Sequence, residues 1–163
     1  MMFSPALLSL AKTVLDEARA KKLRLATAES CTGGLIAGLL TEIPGSSNVV
    51  ERSFVTYSDQ AKEELLGVPK ALIADQGAVS DAVARAMAEG AVAHSHAELA
   101  VAVTGIAGPG GGTAQKPVGL VHMAAAREGR ATLHEEHRFG DIGRTEVRLK
   151  TVEAALELLR RLI

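Results

Sequence analysis

Hydrophobic and polar residues follow two different periodicities along this chain. Apolar residues three or four positions apart predict helices, and short uninterrupted apolar runs predict strands that are buried on both faces. The pattern predicts helices that begin at Ser4-Pro5, close at Pro44-Gly45, run from Ser58 to Leu66, begin at Ser80, and cover 145–162. It predicts strands that end near Ser30 and cover 49–57, 99–104 and 118–126, with an edge strand over 131–139.

Helices that alternate with buried strands are typical of layered α/β proteins. The length of 163 residues fits one domain around one core, and 47% hydrophobic residues are enough to fill it. We found no internal repeat and no linker. The sequence therefore predicts an α/β protein, a three-layer α/β/α sandwich that forms a single domain over residues 1–163.

Composition narrows the classes of partner. The 18 basic and 19 acidic residues nearly balance, and aromatic residues make up only 2%, so the features of a nucleic-acid interface are missing. A single cysteine cannot form an intrachain disulfide, which suits a reducing compartment. The N-terminal segment has the spacing of a helix rather than of a signal peptide, and no apolar run is long enough for a membrane span. We therefore expect a cytoplasmic protein that binds a small molecule, with neither nucleic acid nor membrane as partner.

The most informative segment is 26–40, ATAESCTGGLIAGLL. A short apolar run stops at small polar residues, two glycines follow, and apolar residues then recur at helical spacing, which indicates strand, tight turn and helix. Ser30 should lie at the helix N-terminus, where free N–H groups could hold an oxyanion while the hydroxyl acts as nucleophile. A simple Ser/Thr helix cap explains the same pattern, and both interpretations stay open.

A serine nucleophile needs a base, and the best candidate is a lysine. Tyr57 ends a predicted strand and Lys62 lies in the first turn of the next helix, so both should face the same sheet edge as Ser30. Desolvation would lower the pKa of Lys62 enough for it to act as a base, although a solvent-facing helix lysine is the alternative. The histidines offer no obvious base and are interpreted as solvated, apart from a core His122. Cys31 is a rival nucleophile or a buried structural cysteine.

Two further features could bind an anion. The loop 104–113 follows a buried strand and is rich in glycine, so its N–H groups could form a nest for phosphate or carboxylate. Arg144 and Arg148 are four residues apart on one helix face and could grip a phosphate together. A flexible connection and a solvated helix face are the respective alternatives.

These segments together resemble one family, the nicotinamide-nucleotide amidases, also known as the C-terminal domain of the competence/damage-inducible protein CinA. The matching segments are AESCTGG (28–34), PGSS (44–47), FVTYSDQAKEELLGV (54–68), GAVS (77–80), AVTGIAGPGGGTAQKPVGLV (102–121) and GD…R…R near 140–148. The resemblance implies hydrolysis of nicotinamide mononucleotide to nicotinate mononucleotide and ammonia, without a metal or other cofactor. Full-length relatives carry an additional N-terminal nucleotide-binding domain, for which 163 residues leave no room, so we expect the stand-alone form here.

The resemblance also implies roles for individual residues. It makes Ser30 the nucleophile and adds Lys62 and Tyr57 to complete a Ser-Lys-Tyr arrangement. The family usually has Gly-Asp-Arg, whereas here Ile142 and Gly143 intervene between Asp141 and Arg144. This departure from the family pattern counts against a phosphate-binding role for Arg144. A homodimer or higher oligomer is implied, and a non-catalytic nucleotide-binding module is the alternative function. The substrate-binding residues implied are Cys31, Thr32, Gly33, Gly34, Thr104, Gly105, Ala107, Gly108 and Arg144.

Overall fold

The structure is a computed structural model that describes residues 2–163. Strands and helices follow one another in the order that the hydrophobic pattern predicts, with one additional short α-helix and a 3-10 helix over Ser46–Asn48. The helices are α1 (Pro5–Ala20), α2 (Leu35–Thr41), α3 (Asp59–Leu66), α4 (Lys70–Gln76), α5 (Asp81–Ala93) and α6 (Arg144–Arg160). The strands are β1 (Leu25–Glu29), β2 (Val50–Val55), β3 (Leu99–Gly105), β4 (Leu120–Arg127) and β5 (Leu133–Arg138).

The five strands form one mixed sheet in the order β2-β1-β3-β4-β5. Strand β1 pairs in parallel with both β2 and β3, whereas β4 is antiparallel to its neighbours β3 and β5. Helices α1, α2 and α6 pack on one face of the sheet, and α3, α4 and α5 pack on the other. The predicted three-layer α/β/α sandwich is therefore confirmed.

The two faces of the sheet carry side chains of different size. Towards α1, α2 and α6 the central strands present leucine, valine and methionine. Towards α5 they present mainly alanine, so this helix can approach the sheet closely. A Cβ atom at Gly90 of α5 would lie 2.0 Å from the carbonyl oxygen of Leu66, which only glycine avoids. The alanines on this face are Ala26, Ala28, Ala100, Ala102, Ala124 and Ala126.

Helix α4 is the main difference from the sequence prediction, which interpreted Gly67 and Pro69 as the end of a helix and proposed nothing after them. The seven-residue helix begins directly after Pro69 and ends at Gly77, whose φ is 76°. It is too short to show an apolar period, and it buries Ile73 against α5 and its neighbours. Within residues 2–163, no helix has both the length and the hydropathy that crossing a bilayer requires.

Candidate active site

A cavity of about 300 Å³ opens at the carboxyl ends of β1 and β3. The chain leaves β1 towards α2 on one face of the sheet and reaches β3 from α5 on the other, so the strand order reverses here. Ligands in open α/β sheets bind in the crevice at such a point. The lining residues are Ser30, Cys31, Tyr57, Asp59, Lys62, Ala78, Val79, Thr104, Gly105, Ile106, Ala107, Gly108, Gly110, Gly111 and Arg144.

Lys62 is the largest fully buried side chain, at 1% exposure, and its amine contacts the Ser30 hydroxyl. The Lys62 Nζ–Ser30 Oγ distance is 3.1 Å, and Nζ donates to the carbonyl oxygen of Thr56 at 2.9 Å. Among the described residues no carboxylate pairs with this amine. Burial lowers the pKa of Lys62, and the negative charge of Asp59 opposes this shift in part. A neutral amine satisfies both contacts by donating to Thr56 and accepting the hydroxyl proton of Ser30.

The turn that carries Ser30 is held by Glu29, whose role the sequence analysis missed. Its fully buried carboxylate accepts hydrogen bonds from the hydroxyls of Thr27 and Thr32, at 3.1 and 2.6 Å. It also accepts the amides of Ile36 and Ala37 at 2.9 and 3.0 Å. The expectation that the free N–H groups of α2 face Ser30 is therefore wrong, because the preceding carboxylate occupies them.

The turn itself supplies the amides that remain. Within residues 2–163, the N–H groups of Cys31, Thr32 and Gly34 have no hydrogen-bond acceptor, whereas Gly33 donates to the carbonyl of Ser30. Both glycines have positive φ, 59° for Gly33 and 102° for Gly34, which accounts for the residue type at these positions. Of residues 31–34 only Cys31 lines the cavity, whereas Thr32, Gly33 and Gly34, predicted to bind the substrate, do not. An oxyanion beside Ser30 would therefore meet the Cys31 amide rather than those of the helix.

Arg148 supports this turn from α6. Its guanidinium donates to the carbonyl oxygens of Cys31 and Thr32, both at 3.0 Å. A Cβ atom at Gly33 would lie 3.3 Å from Arg148 Nη2, so this glycine also makes room for the guanidinium. The sequence analysis expected Arg148 either to bind a phosphate or to lie on a solvated helix face. Neither expectation describes this side chain, because it binds two carbonyl groups that are distant in sequence.

Arg144, one turn earlier in α6, lies on the cavity wall and connects the glycine-rich loop after β3 with the segment after β2. It donates to the carbonyl oxygen of Gly108 at 2.8 Å and to the hydroxyl of Tyr57 at 3.1 Å. Tyr57 is 62% exposed, and among the described residues its hydroxyl bonds to neither Ser30 nor Lys62. The structure thus brings Ser30 and Lys62 into direct contact and leaves Tyr57 at the mouth of the cavity.

Cys31 lies in the hydrophobic core beside the cavity. Burial raises the pKa of its thiol to about 12, which outweighs the lowering that a nearby helix N-terminus can give. The thiolate is therefore strongly disfavoured at neutral pH. The structural interpretation of this cysteine agrees with its environment, and Ser30 is left as the better nucleophile.

The glycine-rich loop after β3 forms the opposite wall. Thr104 donates its hydroxyl to the carbonyl of Ala78, which ties the start of the loop to the segment before α5. Gly108 has a φ of 83°, and a Cβ atom there would lie 2.6 Å from Val118. Within the described chain the amides of Ala107 and Gly108 have no acceptor, so this wall presents free N–H groups next to Arg144.

Histidines and metal ligands do not contribute to the cavity. No histidine lines it, and within residues 2–163 no group of three or more His, Cys, Asp or Glu side chains could hold a metal ion. His134 is not solvated as predicted, because its ring stacks on His122 with a nitrogen–nitrogen distance of 2.9 Å. Asp59 lines the cavity as well, although the sequence analysis did not single it out.

Comparison with known proteins shows the family. The family profile described as "CinA C-terminal domain" matches residues 7–163. A "CinA-like protein" of Syntrophus aciditrophicus is 54% identical over 143 residues, which are 86% of this chain and 33% of that protein. A "Putative competence-damage inducible protein" of Caldicellulosiruptor bescii is 48% identical over 88% of this chain and 34% of its own. The chain thus spans about a third of the length of these curated relatives.

Solved structures match over nearly the whole chain. The competence/damage inducible protein CihA from Agrobacterium tumefaciens has a TM-score of 0.96 and 55% identity, covering 98% of this chain and 97% of that one. The CinA superfamily protein ECK1530/EC0983 from Escherichia coli has a TM-score of 0.92 and 32% identity, covering 99% and 94%. With sequence and structure in agreement, the chain belongs to the CinA C-terminal domain family.

Proposed function

We propose that this protein hydrolyses the carboxamide of nicotinamide mononucleotide to give nicotinate mononucleotide and ammonia. The observation that carries the proposal is the buried Lys62 amine, 3.1 Å from the Ser30 hydroxyl and without a carboxylate partner among the described residues. A desolvated lysine beside a serine is a pair that can activate a nucleophile without histidine. The pyridinium ring of this substrate withdraws electrons, which makes the attached carbonyl carbon unusually electrophilic.

The reaction would proceed through an acyl-enzyme. Ser30 Oγ forms a bond to the carbonyl carbon as its proton moves to Lys62 Nζ, and the carbonyl electron pair moves to the oxygen. Collapse of this intermediate breaks the C–N bond, and the Lys62 proton leaves with the nitrogen as ammonia. Water then attacks the acyl carbon, giving a proton to Lys62, and cleavage of the Oγ–C bond returns that proton to Ser30.

The surrounding amides and Arg144 would bind the substrate. The free N–H group of Cys31 follows the nucleophile directly and can stabilise the oxyanion, which is often the largest contribution to such catalysis. Arg144 and the free amides of Ala107 and Gly108 lie together on the facing wall and can bind the phosphate. Tyr57 would help to position the substrate at the cavity mouth.

Ammonia release from nicotinamide mononucleotide, measured with chelator present, tests the proposal. Ser30→Ala should lose about a thousandfold or more in kcat while it still binds the nucleotide, because it lacks only the nucleophile. Ser9→Ala, an exposed serine in α1, is the matched control and should keep full activity. Binding without any ammonia release by the unaltered protein would contradict the proposal and favour a non-catalytic nucleotide-binding module.

A further inference from the structure

Asp59 contributes a carboxylate that the catalytic steps above do not use. It is the first residue of α3 and lines the cavity, where it is the only acidic side chain. Among the described residues it forms no ion pair and accepts no side-chain hydrogen bond. Several other carboxylates are ion-paired, for example Asp16 with Lys12 and Arg19. The exposed carboxylate of Asp59 has no such partner and is therefore available to a ligand in the cavity.

The position of Asp59 relative to Lys62 sets where that charge acts. Residues three apart share a helix face, so the carboxylate lies about one helical turn from the amine that contacts Ser30. Arg144 enters the same cavity from α6, on the opposite face of the sheet. The cavity thus holds the nucleophile, one negative charge from α3 and one positive charge from α6.

We propose that Asp59 is a specificity residue that recognises a positive charge on the ring bearing the scissile amide. The inference rests on the proposed function and narrows its substrate class to amides on cationic, pyridinium-type rings. In such a nucleotide a cationic ring nitrogen lies between the carboxamide and the anionic phosphate, so the ligand carries the charges complementary to Asp59 and Arg144. Asp59 favours the cationic ring electrostatically and disfavours neutral rings that offer the same amide and phosphate.

A pair of ligands that differ in ring charge tests this. Nicotinamide mononucleotide and its dihydro form share the amide, ribose and phosphate, but the dihydro ring is neutral. Calorimetric titration of Ser30→Ala protein should show about two- to fivefold tighter binding of the cationic nucleotide, the range of an exposed ion pair. In the Ser30→Ala, Asp59→Asn double variant the preference should disappear, and Asp59→Glu should restore it. Glu64→Gln removes an exposed charge from the same helix, outside the cavity, and should leave the preference unchanged.

A second measurement separates this role from a structural one. Acidic residues in the first turn stabilise a helix, so Asp59→Asn could lower stability without touching recognition. The charge of Asp59 also raises the pKa of Lys62, so its removal should move the acid limb of the pH–rate profile to lower pH. An unchanged binding ratio and an unmoved limb would overturn the inference and leave the proposed function intact. If neither nucleotide binds, the proposed function is overturned together with it.

Discussion

Replacing Glu29 by glutamine should destabilise the domain and slow the reaction together. The carboxylate accepts four hydrogen bonds, and each of its oxygens takes one hydroxyl and one amide of α2. A glutamine side chain has the same shape but offers a single acceptor oxygen. Whichever oxygen is replaced by NH₂, one buried amide of α2 then faces another donor.

The magnitude follows from these four contacts. A buried N–H group without an acceptor costs about 1–3 kcal/mol, and the remaining bonds lose the roughly twofold strengthening that an ionised acceptor gives. Together we expect a loss of about 2–4 kcal/mol in the free energy of unfolding. For a domain of this size each kcal/mol shifts Tm by about 2–4 °C, so Tm should fall by roughly 5–15 °C.

Thermal unfolding by circular dichroism and kcat for ammonia release are the measurements. Glu42→Gln changes an exposed glutamate at the other end of α2 and should alter neither quantity appreciably. The turn that carries Ser30 should be less well ordered in Glu29→Gln. The kcat of this variant should therefore be lower even at temperatures where the protein is fully folded. Wild-type stability in this variant would refute the hydrogen-bond argument, and wild-type kcat would refute the role assigned to the turn.

Two further predictions concern the chemistry and the phosphate. The rate should rise with pH through the lowered pKa of Lys62, because only the neutral amine accepts a proton; Lys62→Arg should lose this limb and nearly all activity. A retained profile in that variant would place the base elsewhere. Nicotinamide riboside, which lacks the phosphate, should be a much poorer substrate, and Arg144→Ala should reduce this discrimination about tenfold or more by raising KM for the nucleotide. Equal kcat/KM values for both substrates in the unaltered protein would remove the phosphate site.

Local patterns were sufficient for the main architecture and for one part of the site. The strands lie at the buried apolar runs, and most helices begin at the predicted caps. Since the carboxyl ends of β1 and β2 meet at one edge, the proximity of Ser30 and Lys62 could be expected from topology. That the Lys62 amine is fully buried depends on how α3 packs, which its sequence alone does not determine.

The features that were missed depend on partners far apart in the sequence. Arg148 binds carbonyl groups more than a hundred residues away, and the Tyr57 hydroxyl meets α6 rather than its own neighbours. Glu29 gave a usable signal, because a glutamate at the end of an otherwise uncharged strand must find donors when buried. The seven residues of α4 are too few for any periodicity to identify a helix.

The alanine-lined face of the sheet makes tolerance to mutation unequal on the two sides of this protein. Alanine can hardly be truncated further, so changes on this face act almost entirely by adding volume, whereas the leucine and valine face can exchange side chains of equal size. Added volume beneath α5 would push outward the segment that holds Ala78 and Val79 at the cavity. Substitutions at these alanine positions are therefore limited by the shape of the cavity as well as by the stability of the fold.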